Sequence, residues 1–464
     1  MAKYKENVNR ITEGVIWKQI LVFFFPLLLG TFFQQLYNTA DAVVVGRFVG
    51  KEALSAVGGT TGTLINLFVG FFVGVSTGAT VTISQFYGAK HEEEVNHAVH
   101  TAVAMAIVGG AAIMLIGILG APIALRWMGT PEEVMPYSLT YIRIYFGGVI
   151  ANLFYNIGAA ILRAIGDSKR PLYFLITSCF LNIVLDLLFV VVFHWGVMGV
   201  AVATVLSQVC SAVLVFLTLN RTKECYRLQP SKIRFHKELL KKIIRIGIPA
   251  GFQSLMYSSS NIIIQSGINS FGTDTMAAWT AYAKIDGIFW MTMNAFGISI
   301  TTFVGQNYGA GKTDRIKKGV RVCLKMCLTV AVFLSVIMYF GGPYVYYLFT
   351  DDASVLKIGI GILRFLVPAF FTYVPIEILS GSLRGMGNSL IPMILTALGV
   401  CLLRVVWIFT AVRIWRDINV LILSYPLAWV VTSIFFIIYF LYYTRKHLYK
   451  VKSSKVNGLT GVEE

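Results

Sequence analysis

Long apolar runs constrain this chain more than any other feature. They cover residues 16–42, 54–83, 97–121, 138–162, 172–193 and 197–219, then 244–269, 276–305, 320–346, 357–382, 391–412 and 420–443. About 20 apolar residues in helical form cross a bilayer core. Backbone polar groups cannot go unpaired in lipid, so spans of this length must be helices. The sequence therefore reads as an all-α polytopic membrane protein with twelve transmembrane helices. Composition agrees: only 13% of the 464 residues are charged, against about 25% in soluble domains. That leaves too little polar surface to face water.

The positive-inside rule gives the orientation. Basic residues gather in the N-terminal tail (Lys3, Lys5, Arg10, Lys18), in the stretch from Arg221 to Arg245, and in the C-terminal tail (Arg445, Lys446, Lys450). Loops on the opposite side hold few. Both termini are expected in the cytoplasm, with the chain in the plasma (inner) membrane and no cleaved signal peptide. The net charge of +17 follows from this asymmetry, so no nucleic-acid partner is expected. The cysteines show no metal spacing and read as small apolar packing residues.

The two halves repeat. Gln85-Phe86-Tyr87-Gly88-Ala89 matches Gln306-Asn307-Tyr308-Gly309-Ala310, and Leu162-Arg163-Ala164-Ile165-Gly166-Asp167-Ser168 matches Leu383-Arg384-Gly385-Met386-Gly387-Asn388-Ser389, both at an offset of 221. An even number of spans per half makes this a parallel repeat about an axis along the membrane normal, which suits alternating access. The expected organisation is an N-lobe over 1–219, a basic linker over 220–243, a C-lobe over 244–445 and a tail over 446–464. Gly88, Gly166, Gly309 and Gly387 fit helix C-caps. Arg163 and Arg384 fit contacts with helix-end carbonyls or lipid headgroups.

On these motifs, with Asp41-Ala-Val-Val-Val-Gly46 and Asn182-Ile-Val-Leu-Asp186, the chain resembles a multidrug and toxin extrusion (MATE) transporter of the prokaryotic DinF- or MepA-like kind. The resemblance covers residues 12–445. It implies two six-helix bundles around a V-shaped cavity, with efflux of organic, often cationic, compounds in exchange for protons or sodium ions. No cofactor is implied, and no enzyme activity. Expected partners are small organic cations or drugs and membrane lipids, and the chain is expected to act as a monomer.

Ionisable residues inside spans are costly and are functional candidates by default. Asn182 and Asp186 are four apart and share a helix face. At the helical rise, Asp41, Asp186 and Thr204 all lie about 9–12 Å below the outer ends of their spans. Two carboxylates, an amide and a hydroxyl at one depth suit a shared proton or a hard cation. By resemblance these four match the family's N-lobe cation site. The repeat equivalents of Asn182 and Asp186 are Leu403 and Trp407, so the second half folds without them. A buried pair that only locks spans one and five is the alternative.

A second charged set, Lys284, Asp286, Glu377 and Arg404, lies in the second half, where mixed signs suggest mutual ion pairing. Glu377 is the foremost candidate there for binding a cationic drug. The substrate cavity is expected to draw on Gln34, Tyr37, Asn152 and Asn156, and on Met256, Tyr257, Asp286, Trp290, Glu377 and Trp407. Aromatic and Met-rich walls suit flat, varied cations. The competing reading is a flippase or exporter of lipid-linked oligosaccharide or another lipid, which would favour a cationic cavity. Neither a Walker A motif nor a H-E-x-x-H zinc motif occurs, which argues against ATP-driven transport and a zinc enzyme.

Overall fold

A computed structural model describes residues 11–457, with side chains through His447, so residues 1–10 and the end of the expected 446–464 tail, 458–464, lie outside the described residues. The chain is helical nearly throughout. In the first half come α1 (Ile16–Phe48), α2 (Lys51–Gly58), α3 (Thr60–Ala89), α4 (Glu92–Trp127), α5 (Met135–Gly147), α6 (Val149–Ala164), α7 (Lys169–Asp186) and α8 (Gly196–Arg221). The second half holds α9 (Lys237–Asn269), α10 (Thr273–Gly309), α11 (Thr313–Tyr346), α12 (Ala353–Leu366), α13 (Val374–Gly385), α14 (Leu390–Thr396), α15 (Leu403–Phe409), α16 (Ala411–Ile414) and α17 (Ile418–Asn457).

Among the described residues, ten helices are long and apolar enough to cross a membrane, and the bent pair α5–α6 makes eleven. The twelfth expected span, 244–269, forms a helix as expected but falls short of that apolarity. It is helical within α9 but too rich in polar side chains, among them Gln253, Ser258, Ser259, Ser260, Asn261 and Gln265. Large apolar side chains such as Leu119, Phe340 and Leu348 point outward at 69–82% exposure. Lipid rather than water is the solvent that tolerates them.

The repeat is visible atom by atom. Gly166 and Gly387 adopt φ of 97° and 89°, the left-handed region that suits glycine. Each ends its helix with the same pair of bonds: Asp167 N–H to Leu162 O at 2.9 Å and Gly166 N–H to Arg163 O at 3.0 Å, matched by Asn388 N–H to Leu383 O at 2.9 Å and Gly387 N–H to Arg384 O at 2.8 Å. Gly88 and Gly309 are not caps, contrary to the sequence reading. They stay helical, and the left-handed positions are Lys90 and Gly311 (φ 60° and 68°). Both fourth spans break at equivalent positions by different means. The first bends by 49° at Gly147–Gly148. The second tightens into a 3₁₀ turn over Val367–Tyr373, entered at Pro368. Ser335 and Ser433 hydroxyls donate to Val367 O (2.9 Å) and Thr372 O (2.6 Å), satisfying carbonyls at the break, as burial away from water requires.

By packing, the described chain forms two compact units. One comprises residues 22–251; the other takes the stretch up to Leu21 and everything from Phe252 onward. The chain thus passes between units inside α1 and inside α9, and each of these helices contains a proline near the crossing, Pro26 and Pro249. The first unit is built on Phe72, Val99, Phe146, Leu153 and Ile157, into which Tyr226 and Leu228 of the 222–236 segment insert. A smaller cluster of Val45, Tyr141, Tyr145, Val190 and Val200 holds the ends of α1, α5 and α8 together. The second unit centres on aromatic rings, with Phe289 stacked on Phe370 at 4.0 Å and Trp290, Tyr373 and Trp429 around them.

Candidate functional site

In the first unit, α1, α7 and α8 bring Asp41, Asn182, Asp186 and Thr204 together. The Asp41 carboxyl lies within bonding reach of Asp186, Asn182 and Thr204. All four side chains are buried, Asn182 and Asp186 completely. Asp41 Oδ1, both oxygens of Asp186 and both ends of the Asn182 amide nevertheless have no well-formed hydrogen bond. Thr204 donates to Val200 O in its own helix at 2.9 Å, which leaves its lone pairs available. Buried polar atoms are rarely left unpaired. This donor set, hard and negatively charged, fits a proton shared by the carboxylates or an oxygen-seeking monovalent cation.

Local sequence holds the cluster in place. Ser178, Asn182 and Asp186 recur every four residues and form one polar stripe on α7. Ser178 Oγ donates to Ser207 O at 2.8 Å, and Ser207 Oγ to Thr204 O at 2.8 Å. These bonds clamp α7 to α8, so Thr204 faces Asn182 and Asp186. Directly after Asp186 the helix widens into a π turn over Leu187–Val192, a distortion common at functional sites. Sequence reasoning missed Ser178 and Ser207, although their regular spacing from Asn182 and Thr204 is the signal. It also missed Tyr141 and Tyr145, whose rings stack at 6.3 Å and which lie in the electrostatic field of Asp41.

A cavity of about 70 Å³ of mixed lining adjoins this cluster, with Gln34, Tyr37, Asn152, Asn156, Ser178 and Gln208 beside Phe33 and Leu175. Tyr37 sits one turn before Asp41, and its buried hydroxyl has no hydrogen-bond partner. Asn156 donates to Asn152 Oδ1 at 3.0 Å. With about 30 Å³ per liquid water, the cavity suits an ion and its water, and is far below the roughly 300 Å³ a drug-sized ligand needs.

The charged set of the second unit does not form one network. Glu377 pairs with Arg384 at 3.8 Å and accepts from the Tyr373 hydroxyl at 3.1 Å. Tyr373 in turn meets Tyr257 at 3.4 Å. Arg384 therefore serves a carboxylate, contrary to the expected helix-end or lipid role, because Glu377 sits two turns earlier on the same helix. Asp286 accepts from Trp290 Nε1 at 2.9 Å. Arg404 is buried, donates to Val400 O at 2.6 Å and lies 4.8 Å from the Tyr425 ring. Lys284 is exposed. Trp407 donates to Val420 O at 2.8 Å, and Met256 is half-buried. Polar contacts thus join Tyr257 to Glu377 through Tyr373, and Asp286 to Trp290, while Met256 and Trp407 stand outside them.

Comparison with known proteins gives the family. The family model MatE matches residues 26–188 and, a second time, 249–410. The chain belongs to the MatE family. The double match falls on the two halves of the repeat, and the family is one of transporters, not enzymes. This MatE protein is 29% identical over 388 residues to the probable multidrug resistance protein YoeA of Bacillus subtilis, covering 82% of this chain and 84% of that one. It is 24% identical to the probable multidrug resistance protein NorM of Thermotoga maritima, covering 89% of each. Among solved structures, an outward-facing multidrug resistance MATE family transporter of the MOP superfamily superposes with a TM-score of 0.88 at 23% identity, covering 96% of this chain and 99% of that one. A MOP superfamily transporter from Pyrococcus furiosus, described as having a binding pocket of reverse polarity, gives a TM-score of 0.88 at 22% identity with the same coverage. The fold is therefore the two-lobed MATE fold.

Proposed function

We propose that this chain is a secondary active multidrug exporter, exchanging organic, mostly cationic compounds for H⁺ or Na⁺ by alternating access. The observation that carries the reading is the Asp41–Asn182–Asp186–Thr204 cluster with its unbonded buried oxygens. It exists in the first half only, where the repeat's second copy has Leu403 and Trp407. A purely structural polar cluster has no reason to be dropped from one of two halves that fold alike. The names of the curated relatives, probable multidrug resistance proteins, support the substrate class.

In this reading Asp41 and Asp186 hold the coupling ion, Asn182 and Thr204 complete its oxygen shell, and the small cavity at Gln34, Tyr37, Asn152 and Asn156 is its approach. Contact between those four residues and a drug requires the cavity to widen. On the other unit, Asp286 is better placed than Glu377 to recognise an organic cation, because Arg384 already neutralises Glu377. Trp290 orients that carboxylate, and Met256, Tyr257 and Trp407 supply apolar wall. The lobes are 1–219 and 244–445, joined by the linker 220–243 and followed by the tail 446–464.

Purified protein in liposomes should expel ethidium when a proton or sodium gradient is imposed, and one ion alone should suffice. Transport indifferent to both gradients would refute the reading, and transport of a fluorescent lipid instead would favour a flippase. Sidedness is tested separately. With both termini and residues 220–243 cytoplasmic, Lys232→Cys in a cysteine-free background should react with a membrane-impermeant maleimide only after the cells are opened. Labelling of intact cells would reverse the topology.

A further inference from the structure

The segment between α8 and α9 is tied down by histidines. Asn96 of α4 donates its amide to Cys225 O (3.0 Å) and Arg227 O (3.1 Å). One turn on, His100 is 1% exposed. Its Nε2 meets the Gln229 N–H at 3.0 Å, and its Nδ1 meets Asn96 O at 2.7 Å. A backbone N–H only donates and a carbonyl only accepts, so these partners require a neutral ring with the proton on Nδ1. His236 is held the same way. Arg234 Nε donates to its Nε2 at 3.2 Å, and its Nδ1 lies 3.2 Å from Thr101 Oγ1, which also accepts the His236 N–H. His97 stacks on His236 with centroids 4.2 Å apart.

We propose that this contact is a proton-operated latch, docked while His100 and His236 are neutral and released when they take up protons. A proton on Nε2 of either ring would face a donor, Gln229 N–H or Arg234 Nε–H, and the bond would become a repulsion. At His100 the new charge would also be buried, with no carboxylate paired to it. Glu93 lies 4.0 Å from His97. Burial, then His97, Arg234 and His100, push the His236 pKa below its ordinary 6.5. Cys225 does not compete for protons in this range, since burial and the nearby Glu92 and Glu224 push its thiol up to about 11. Arg227 is engaged elsewhere, through Asn220 O at 3.1 Å.

The sign follows from linkage. A group held neutral with a lowered pKa, as His236 is, stabilises the docked state above its ordinary value near 6.5 and loses that contribution as pH falls through the docked value. The side that matters is the one bearing the linker, which the proposed topology makes cytoplasmic. An exporter that brings protons inward would then have its own product loosen the segment joining its two halves.

Hydrogen–deuterium exchange on the full chain in nanodiscs tests this at pH 7.5 and 5.5, corrected for intrinsic rates. Protection of amides 224–236 should fall at least tenfold at pH 5.5, while α3 to α8 stay protected. In His100→Gln with His236→Gln, a linker docked at pH 7.5 should stay protected at pH 5.5. Unchanged wild-type protection down to pH 5.0, or release of the docked double variant like wild type, would overturn the proposal. Should the double variant be undocked even at pH 7.5, the wild-type titration decides. A linker-only release with its midpoint below 6.5 supports the latch, and no release refutes it.

Discussion

Asp41→Asn and Asp186→Asn are expected to abolish gradient-driven export while leaving the protein folded. Each change preserves volume and removes one of two carboxylates that face each other in a buried site. An amide cannot share the proton, and it offers a cation one uncharged oxygen in place of a carboxylate. Ethidium efflux from liposomes should drop at least tenfold, to the level of empty vesicles. Detergent-solubilised protein should remain monodisperse and melt near the wild-type temperature, because the amide keeps the volume and lowers the charge of a buried site. Ser207→Ala should act more gently, since it loosens the α7–α8 clamp without removing an ion ligand. Wild-type ion dependence in both Asn variants would move the coupling site to Asp286 and Glu377 in the other unit.

How much of this was legible in the sequence depends on the range of the interaction. The span positions, the repeat and the shared face of Asn182 and Asp186 follow from local periodicity, and all are seen in the helices. The convergence of Asp41 and Thr204 on that face followed from depth, because helix rise converts residue number directly into distance. Ion pairing was not legible in the same way. Glu377 and Arg384 are seven apart, two turns on one helix. The expectation of a network with Arg404 and Lys284 ignored that a partner on the same helix is always at hand. Tyr141 and Tyr145 were missed because apolar spans are full of aromatic rings, and only the third dimension shows which ones border a carboxylate. At α9 the span is helical as expected, yet its polar residues make it look less apolar than the other spans. Their hydrogen bonds, such as Gln253 to Thr396 at 2.9 Å, are made inside the protein.

The largest expected effect on stability comes from four glycines in the first unit. Gly74 and Gly78 on α3 lie against Gly247 and Gly251 on α9. A Cβ on Gly78 would fall 2.2 Å from Ile243 O and 2.8 Å from Gly247 N, and one on Gly247 would fall 2.4 Å from Val75 O. At Gly74 it would come within 2.6 Å of Gly251 Cα. These obstacles are backbone atoms, so no rotamer change relieves them and the helices must move apart. In lipid there is no hydrophobic drive to bring them back, because close van der Waals packing is itself what holds transmembrane helices together. Each glycine pair is four residues apart, so separation at one contact opens its neighbour a turn away. Gly78→Ala should cost about 1–3 kcal/mol as an overpacked contact, a fall in melting temperature of roughly 1–3 °C for a chain of this length. Gly78→Leu should aggregate on extraction. Gly120→Ala in α4 is the control: a Cβ there meets nothing within 4 Å, so only the better helix propensity of alanine acts, and the protein should melt at or slightly above wild type. A Gly78→Ala protein that melts with the Gly120→Ala control would mean that the two helices do not depend on this contact.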